Sequence, residues 1–292
     1  MRKTAVVAAF LLSFQSWSCG IFQAIAVKST TGILDKGMEA VFEESDLGLA
    51  EQAIASDLKL LEALHKSDPG NDHLLLMLTQ GYTGYALGFV EDDSANGIER
   101  AKMFYARARD YGLEVLRKNK AFNVAFDENP AAFTKSLESF SDDDVPIIFW
   151  TANAWGNLIN LSLDDPAVLV DLYKVNAMME FVLHHDEQYY FGSAHLYFGM
   201  ILATTPKVLG GNPEKAKEHF ERCLEISKNK FLLAYVYYAR SYAVQVQNQQ
   251  LFESLLKKVE DAPIDILPEQ RLVNAVAKKK ARLLLAQESE LF

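Results

Sequence analysis

The run His184-His185-Asp186-Glu187 places metal-ligand residue types side by side. On a helix, adjacent side chains point about 100° apart, so two neighbouring histidines cannot both meet one ion in good geometry. A solvated turn after a helix explains the run better. Asp142-Asp143-Asp144 would attract a cation, but acids at a helix start also answer the helix dipole. Leu209-Gly210-Gly211-Asn212-Pro213-Glu214 has the look of a phosphate loop. It lacks the Gly-Lys-Ser/Thr ending and a preceding strand, so a helix-to-helix turn is expected. No Gly-x-Ser-x-Gly nucleophile motif occurs. His195, in a stretch without charge, reads as a hydrogen-bonded core residue. Nothing here is a positive sign of catalysis, and neither a cofactor nor a metal is expected. An enzyme on a helical scaffold, metal-dependent through His184 or His185, has the least support.

The two cysteines have different surroundings. Arg2 and Lys3, then an apolar run from Ala5 to Phe14, make residues 1–18 a secretory signal too short to stay in a bilayer as a spanning helix. Cys19 follows at once, and the arrangement resembles a bacterial lipoprotein signal in which that cysteine is acylated. Trp17 and Ser16 depart from the small and aliphatic residues usual there, so cleavage and release is the alternative. Cys223 lies in an apolar helical stripe and reads as a small buried hydrophobe.

Three long stretches carry no full charge: 74–90, 145–163 and 188–205. A surface helix shows a charged stripe, and these do not. Membrane insertion does not fit Gln80, Asn153, Asn157, Asn160, Pro146 and several glycines. Central burial is one reading. The other is that these helices line the inner face of a solenoid, with Tyr82, Tyr85, Phe89, Trp150, Asn153, Trp155, Asn157, Tyr190 and Tyr197 as lining candidates. An enclosed apolar groove with a few amides suits a small ligand, and a large apolar face equally suits a partner.

The elements that must position those residues are helices. Half the residues are apolar and only 8 are proline, the composition of a folded protein, and strand-like alternation is absent. Asp46 is placed to cap a helix to about Leu64, with Leu47, Leu49, Ala50, Ala53, Ile54, Leu58, Leu61 and Leu64 on one face. Asp68-Pro69-Gly70-Asn71 is a turn. Asp165-Pro166 and Asn212-Pro213 pair a cap residue with proline at the first helical position, and Asp144 before Val145-Pro146 is a looser version. A final helix is expected from Pro268 to about Gln287. Ala216, Phe220 and Cys223 have the small–aromatic–small spacing of the second helix of a tetratricopeptide repeat. Ala101, Tyr105 and Ala108 repeat it, and Phe252, Leu256 and Val259 do so more weakly. The expected fold is therefore all-α, a TPR-like helical-repeat solenoid of about four degenerate helix pairs plus flanking helices. Residues 19–292 form a single domain, with an irregular insertion at about 118–144 around Asn129-Pro130.

The net charge is -10, and loss of Arg2 and Lys3 makes the mature chain more acidic still. Such a surface repels phosphate backbones, so nucleic acid is not an expected partner.

The run Val145-Pro146-Ile147-Ile148-Phe149-Trp150-Thr151-Ala152-Asn153-Ala154-Trp155-Gly156 resembles a signature of the TRAP transporter T-component family. Ala194-His195-Leu196-Tyr197-Phe198-Gly199 and Leu209-Gly210-Gly211-Asn212-Pro213-Glu214-Lys215-Ala216 extend the resemblance, as do Phe231-Leu232-Leu233-Ala234, Leu251-Phe252 and, upstream, Arg107 to Leu113 and Asp57 to Glu62. These are TPR-containing lipoproteins of tripartite ATP-independent periplasmic transporters. The resemblance implies a periplasmic, lipid-anchored helical protein that docks the transporter's solute-binding protein. It also implies a trimer with a central opening into which a ligand cleft leads. An apolar or amphipathic small molecule is the expected ligand. A TPR lipoprotein scaffold for an envelope assembly machine is the alternative.

Overall fold

The computed structural model of the chain describes residues 32–93 and 96–292, and among them it holds helices and no strand. The signal segment 1–18 and Cys19 lie outside the described residues. A helix over residues 32–42 (α1) leads into α2 (Leu47–Ser67), whose first turn is capped by the Asp46 carboxylate accepting from the Leu49 N–H at 2.8 Å. The apolar face expected for α2 is narrower than its sequence implies: Ala50, Leu58 and Leu61 are buried, but Leu49 is exposed. Asn71 caps α3 (Asp72–Tyr85), which continues into a wider π turn over Ala86–Val90.

Four helix pairs follow from here. The first is α3 with α4 (Gly97–Leu116). The short helices α5 (Lys120–Ala125) and α6 (Pro130–Ser136) intervene, and then α7 (Val145–Asn160) pairs with α9 (Leu172–His185) across the single turn of α8 (Pro166–Leu169). Next, α10 (Tyr189–Thr204) pairs with α11 (Pro213–Ile226). Last, α12 (Leu232–Tyr237), prolonged by a π turn over Tyr238–Ala243, pairs with α13 (Gln249–Asp261). The chain ends in α14 (Arg271–Ala286) and the short α15 (Glu288–Leu291). Asp165-Pro166 starts only the turn of α8, and Pro268 starts a 3-10 turn rather than the final helix, which begins at Arg271.

The stretch 118–144, expected to be irregular, is mostly helical. Its signal was aromatic rather than periodic. Phe122, Phe126 and Phe133 pack edge to face and are buried with Leu137 against Trp155. Asn119 and Asn129 cap the two short helices. Ser141 and Asp144 form a capping box, so the acidic run is a helix start.

The outer helices are fixed by the triplets visible in the sequence. Ala101, Tyr105 and Ala108, then Ala216, Phe220 and Cys223, then Phe252, Leu256 and Val259 are all fully buried. Small residues let neighbouring backbones approach, and the aromatic ring between them fills the gap. The Cys223 thiol is pushed up to about 12 by that burial, so it is inert. The inner helices α7 and α10 run parallel: Trp150 meets Tyr190 near one end, and Gly156 faces Tyr197 further along. Likewise Phe231 stacks on Phe191, while Tyr238, a turn or two later, stacks on Phe220 beside Gly199.

The array closes on itself through α14. Val276 and Leu272 pack against Ala50, Val41, Phe42, Ile54 and Phe89. Gly88 has no side chain because a Cβ there would lie 3.2 Å from the Val276 methyl. Lys280, almost wholly buried, pairs with Glu91 at 2.6 Å and Asp92 at 2.8 Å, and Glu91 also accepts from the Tyr105 hydroxyl. Burial opposes the ammonium charge, but Glu91 and Asp92 outweigh it and hold the pKa above its ordinary value. The buried Asn274 amide accepts from the Leu232 N–H and donates to the Lys230 carbonyl, capping α12 from α14.

Two outcomes are expected. Lys280→Met leaves two carboxylates facing each other in a poorly solvated site, so it should cost about 3 kcal/mol or more in urea unfolding. Adding Glu91→Gln and Asp92→Asn should recover most of it. A loss under about 1 kcal/mol would mean that apolar contacts alone close the ring. The second outcome concerns pH. His219 is half-buried beside His195, and burial, then that neighbour, lower its pKa from 6.5. The unfolded chain therefore takes up this proton first as pH falls, and stability should decline below about 6.5. Thermal melts of His219→Gln should lack that step, and an identical slope in both proteins would remove His219 as its cause.

Candidate functional site

A cleft of about 400 Å³ runs inside the ring. Its walls come from α1, α2, α3 with its π turn, α7, α10, α12 with its π turn, and α14, with Met179 of α9. The three uncharged stretches supply most of it. Each inner helix packs one face on its outer partner and turns the other to the cleft, which is why neither face carries a charged stripe. Gly84 has open space where a Cβ would stand, so the cleft runs up to the α3 backbone there.

Of the residues singled out by sequence, Tyr85, Phe89, Trp150, Asn153, Asn157, Tyr190 and Tyr197 all line this cleft. Tyr82 and Trp155 do not. The Tyr82 ring is buried against Phe104 and Tyr111, and its hydroxyl donates to the Glu62 carboxylate and accepts from Arg107. Trp155 turns outward onto Phe126, under the ammonium of Lys174. On α3 the inward face passes through Gln80, Gly81, Gly84 and Gly88, and Tyr82 lies outside it. On α7 it passes through Trp150, Asn153, Gly156 and Asn157, leaving Trp155 on the other side.

One end of the cleft is aromatic and closed. Trp150, Phe231, Leu233, Leu196 and Met179 are buried there. The Trp150 indole N–H donates to the Tyr189 hydroxyl at 3.2 Å, and its ring meets Tyr190 edge-on with centroids 4.7 Å apart. Tyr190 reaches this place through an unusual backbone. Tyr190, Phe191 and Gly192 have φ of 43°, 62° and 74°, three consecutive left-handed residues before α10 proper. Two of them bear side chains, each at a cost of about 1–2 kcal/mol. Stacking of Phe191 on Phe231, packing of Tyr190 against Phe149 and the Ser193 hydroxyl bond to the Tyr190 carbonyl offset that cost. Nothing in the residue types marks this turn except Gly192 at its end.

Polar groups lie further along. The Asn157 amide donates to the Asn153 side-chain and backbone oxygens at 2.7 and 2.9 Å. Among the described residues this leaves the Asn153 amide N–H and the Asn157 oxygen without another partner, available to a ligand. Arg240, Ser241 and Gln245 enter the lining from the π turn after α12 and the residues that follow it. Nothing in the sequence marks them, because a single Arg in an aromatic stretch looks like an ordinary exposed position.

The other chemistry-bearing residues have local tasks. His184 bonds to the Glu180 carbonyl, while His185 stacks on Phe181 and bonds to Asp142, so the two rings point to different partners. No group of ligating side chains able to hold a metal is present among the described residues. His195 bridges His219 at 2.8 Å and Glu187 at 2.9 Å. A consistent assignment has His219 donating to His195, which donates to Glu187. Arg222 adds two bonds to Glu187, and with His195 it lowers that carboxyl to about 2. The glycine-rich run is a helix-to-helix turn: Gly210 is left-handed, Gly211 lies against the Thr205 carbonyl, and Asn212 caps α11. No helix among the described residues is long and apolar enough to cross a membrane.

The chain is 23% identical over 263 residues to an uncharacterized protein of Treponema pallidum (strain Nichols), covering 86% of this chain and 81% of that one. The family model of the TRAP transporter T-component (TAtT) matches residues 43–292, from just before α2 to the C-terminus, and so takes in almost every wall of the cleft. With that extent of match, the chain belongs to the TRAP transporter T-component family.

Proposed function

We propose that this chain is a non-catalytic accessory component of a TRAP-type uptake system. It docks the transporter's periplasmic solute-binding protein and holds an apolar or amphipathic solute in the cleft. The observation that carries the reading is an aromatic and amide-lined cleft enclosed by a ring of helices, in a T-component. Enclosure by largely apolar walls with a few polar groups is the chemistry of small-ligand sites. Family membership supports association with a TRAP transporter.

The rest of the reading extends the same resemblance. A signal segment 1–18 exports the chain, and acylation of Cys19 holds it at a membrane facing the periplasm. Two or more acyl chains anchor a protein stably where one does not. A homotrimer around a central opening would present several clefts to the solute-binding protein at once.

The test is sedimentation velocity of the chain from residue 20 onward with the solute-binding protein of the same transporter. A faster-sedimenting complex is expected, with a mass that also gives the number of T-component copies. Independent sedimentation of the two proteins at all concentrations up to about 100 μM would end the docking reading, because weaker affinity than that is worth less than about 6 kcal/mol.

A further inference from the structure

The cleft has a direction. Its aromatic end lies in the first halves of the parallel helices α7, α10 and α12, where Trp150, Leu196 and Phe231 are buried. At the far ends of the same helices the lining is polar and exposed: Asn160 on α7, Thr204 on α10, then Arg240 and Gln245. Arg240 and Asp57 are the charged residues of the lining among the described residues. They are on different walls, Asp57 on α2 and Arg240 after α12. The Arg240 guanidinium makes no hydrogen bond or ion pair with any described residue, although most other arginines of this acidic chain have a carboxylate partner. Ser241, buried one residue along, likewise has no hydrogen-bond partner for its hydroxyl among the described residues.

We infer that the solute is a single-chain amphiphile with an anionic head, its tail at Trp150 and Tyr190 and its head on the Arg240 guanidinium. This inference rests on the ligand-holding reading above and adds the substrate class. The cleft is complementary to such a molecule at both ends. A tail displaces poorly held water from an aromatic pocket. A carboxylate or similar oxyanion meets the planar fork of Arg240 with two parallel N–H bonds. Asp57 repels an anion from its own wall, which leaves the Arg240 rim as the favourable place for the head. One feature opposes the assignment: the C-terminal ends of α7 and α10 lie at the same rim, and their partial negative charge favours a cation. A full guanidinium charge at contact outweighs such half-charges, and a cationic probe checks the balance.

The experiment is titration calorimetry with dodecanoate, dodecanol and dodecyltrimethylammonium, all below their micelle or solubility limits, at low salt. The proteins are the wild-type chain, Arg240→Gln and Gly84→Phe. Gly84→Phe places a ring in the open space of the cleft and removes a helix glycine, so it should fold at least as well as wild type. Dodecanoate is expected to bind wild type about tenfold more tightly than dodecanol, with a preference that fades as salt is added. Arg240→Gln should make the two equal, and Gly84→Phe should abolish binding of both. Equal affinities in wild type, a preference that survives Arg240→Gln, or tightest binding of the cation would each overturn the head-group assignment while leaving the cleft as the site. Absence of binding by every probe, or binding untouched by Gly84→Phe, would instead overturn the ligand-holding reading itself.

Discussion

One buried ammonium, that of Lys280, ties α14 to the end of the first inner helix through Glu91 and Asp92. Together with the packing of Leu272 and Val276 on α1, α2 and Phe89, it closes what would otherwise be an open solenoid with a groove facing solvent. With it, α14 lies against α2 and the π turn after α3, and the groove becomes an enclosed cleft. A buried ion pair is seldom a large net source of stability, since desolvation consumes most of the attraction. Its worth here is register. Val276 lies close over Gly88, and the neighbouring Lys279 ammonium reaches the Gly88 carbonyl. Lys278, one residue earlier, donates to the last carbonyls of α13. Three consecutive lysines thus hold three different contacts, and a slip of α14 by one residue would break all of them.

Enclosure explains the composition of the inner helices. A helix with an outer partner on one side and a cleft on the other has little surface in bulk water, so charge is kept to its ends, as at Arg240. The residues that make the outer contact are small or aromatic at fixed spacing, and those that make the cleft are aromatics, amides and glycines. Gly84 leaves room on the inward face, Gly156 lets Tyr197 pack close to the α7 backbone, and the Asn153–Asn157 pair satisfies part of its own polarity. The strained turn at Tyr190 belongs to the same design, because it sets a tyrosine against Trp150 where a regular helix would place it elsewhere.

Much of this was legible in the sequence because it is local. Asp46 and Asn212 cap the helices they precede, and proline at the first position of α11 follows the rule for that place. The buried triplets read as helix–helix contacts, and most of the predicted lining aromatics line the cleft. What was not legible is long-range. Lys280 sits in a basic run that reads as solvated surface until Glu91, far away in sequence, is brought beside it. Tyr82 and Trp155 failed as lining residues because charge-free stretches show that both faces of a helix are covered, not which face is which. Residues 122–140 lack helical periodicity because their helices are too short to show it, yet their phenylalanines build a core.

The most direct test of this account is a crystal structure of the protein purified from its own source. The account predicts continuous density in the cleft that begins against Trp150 and Tyr190 and ends within hydrogen-bonding distance of Arg240, with Lys280 seated between Glu91 and Asp92. A cleft holding only ordered water, or a ring open between α14 and α2, would contradict it.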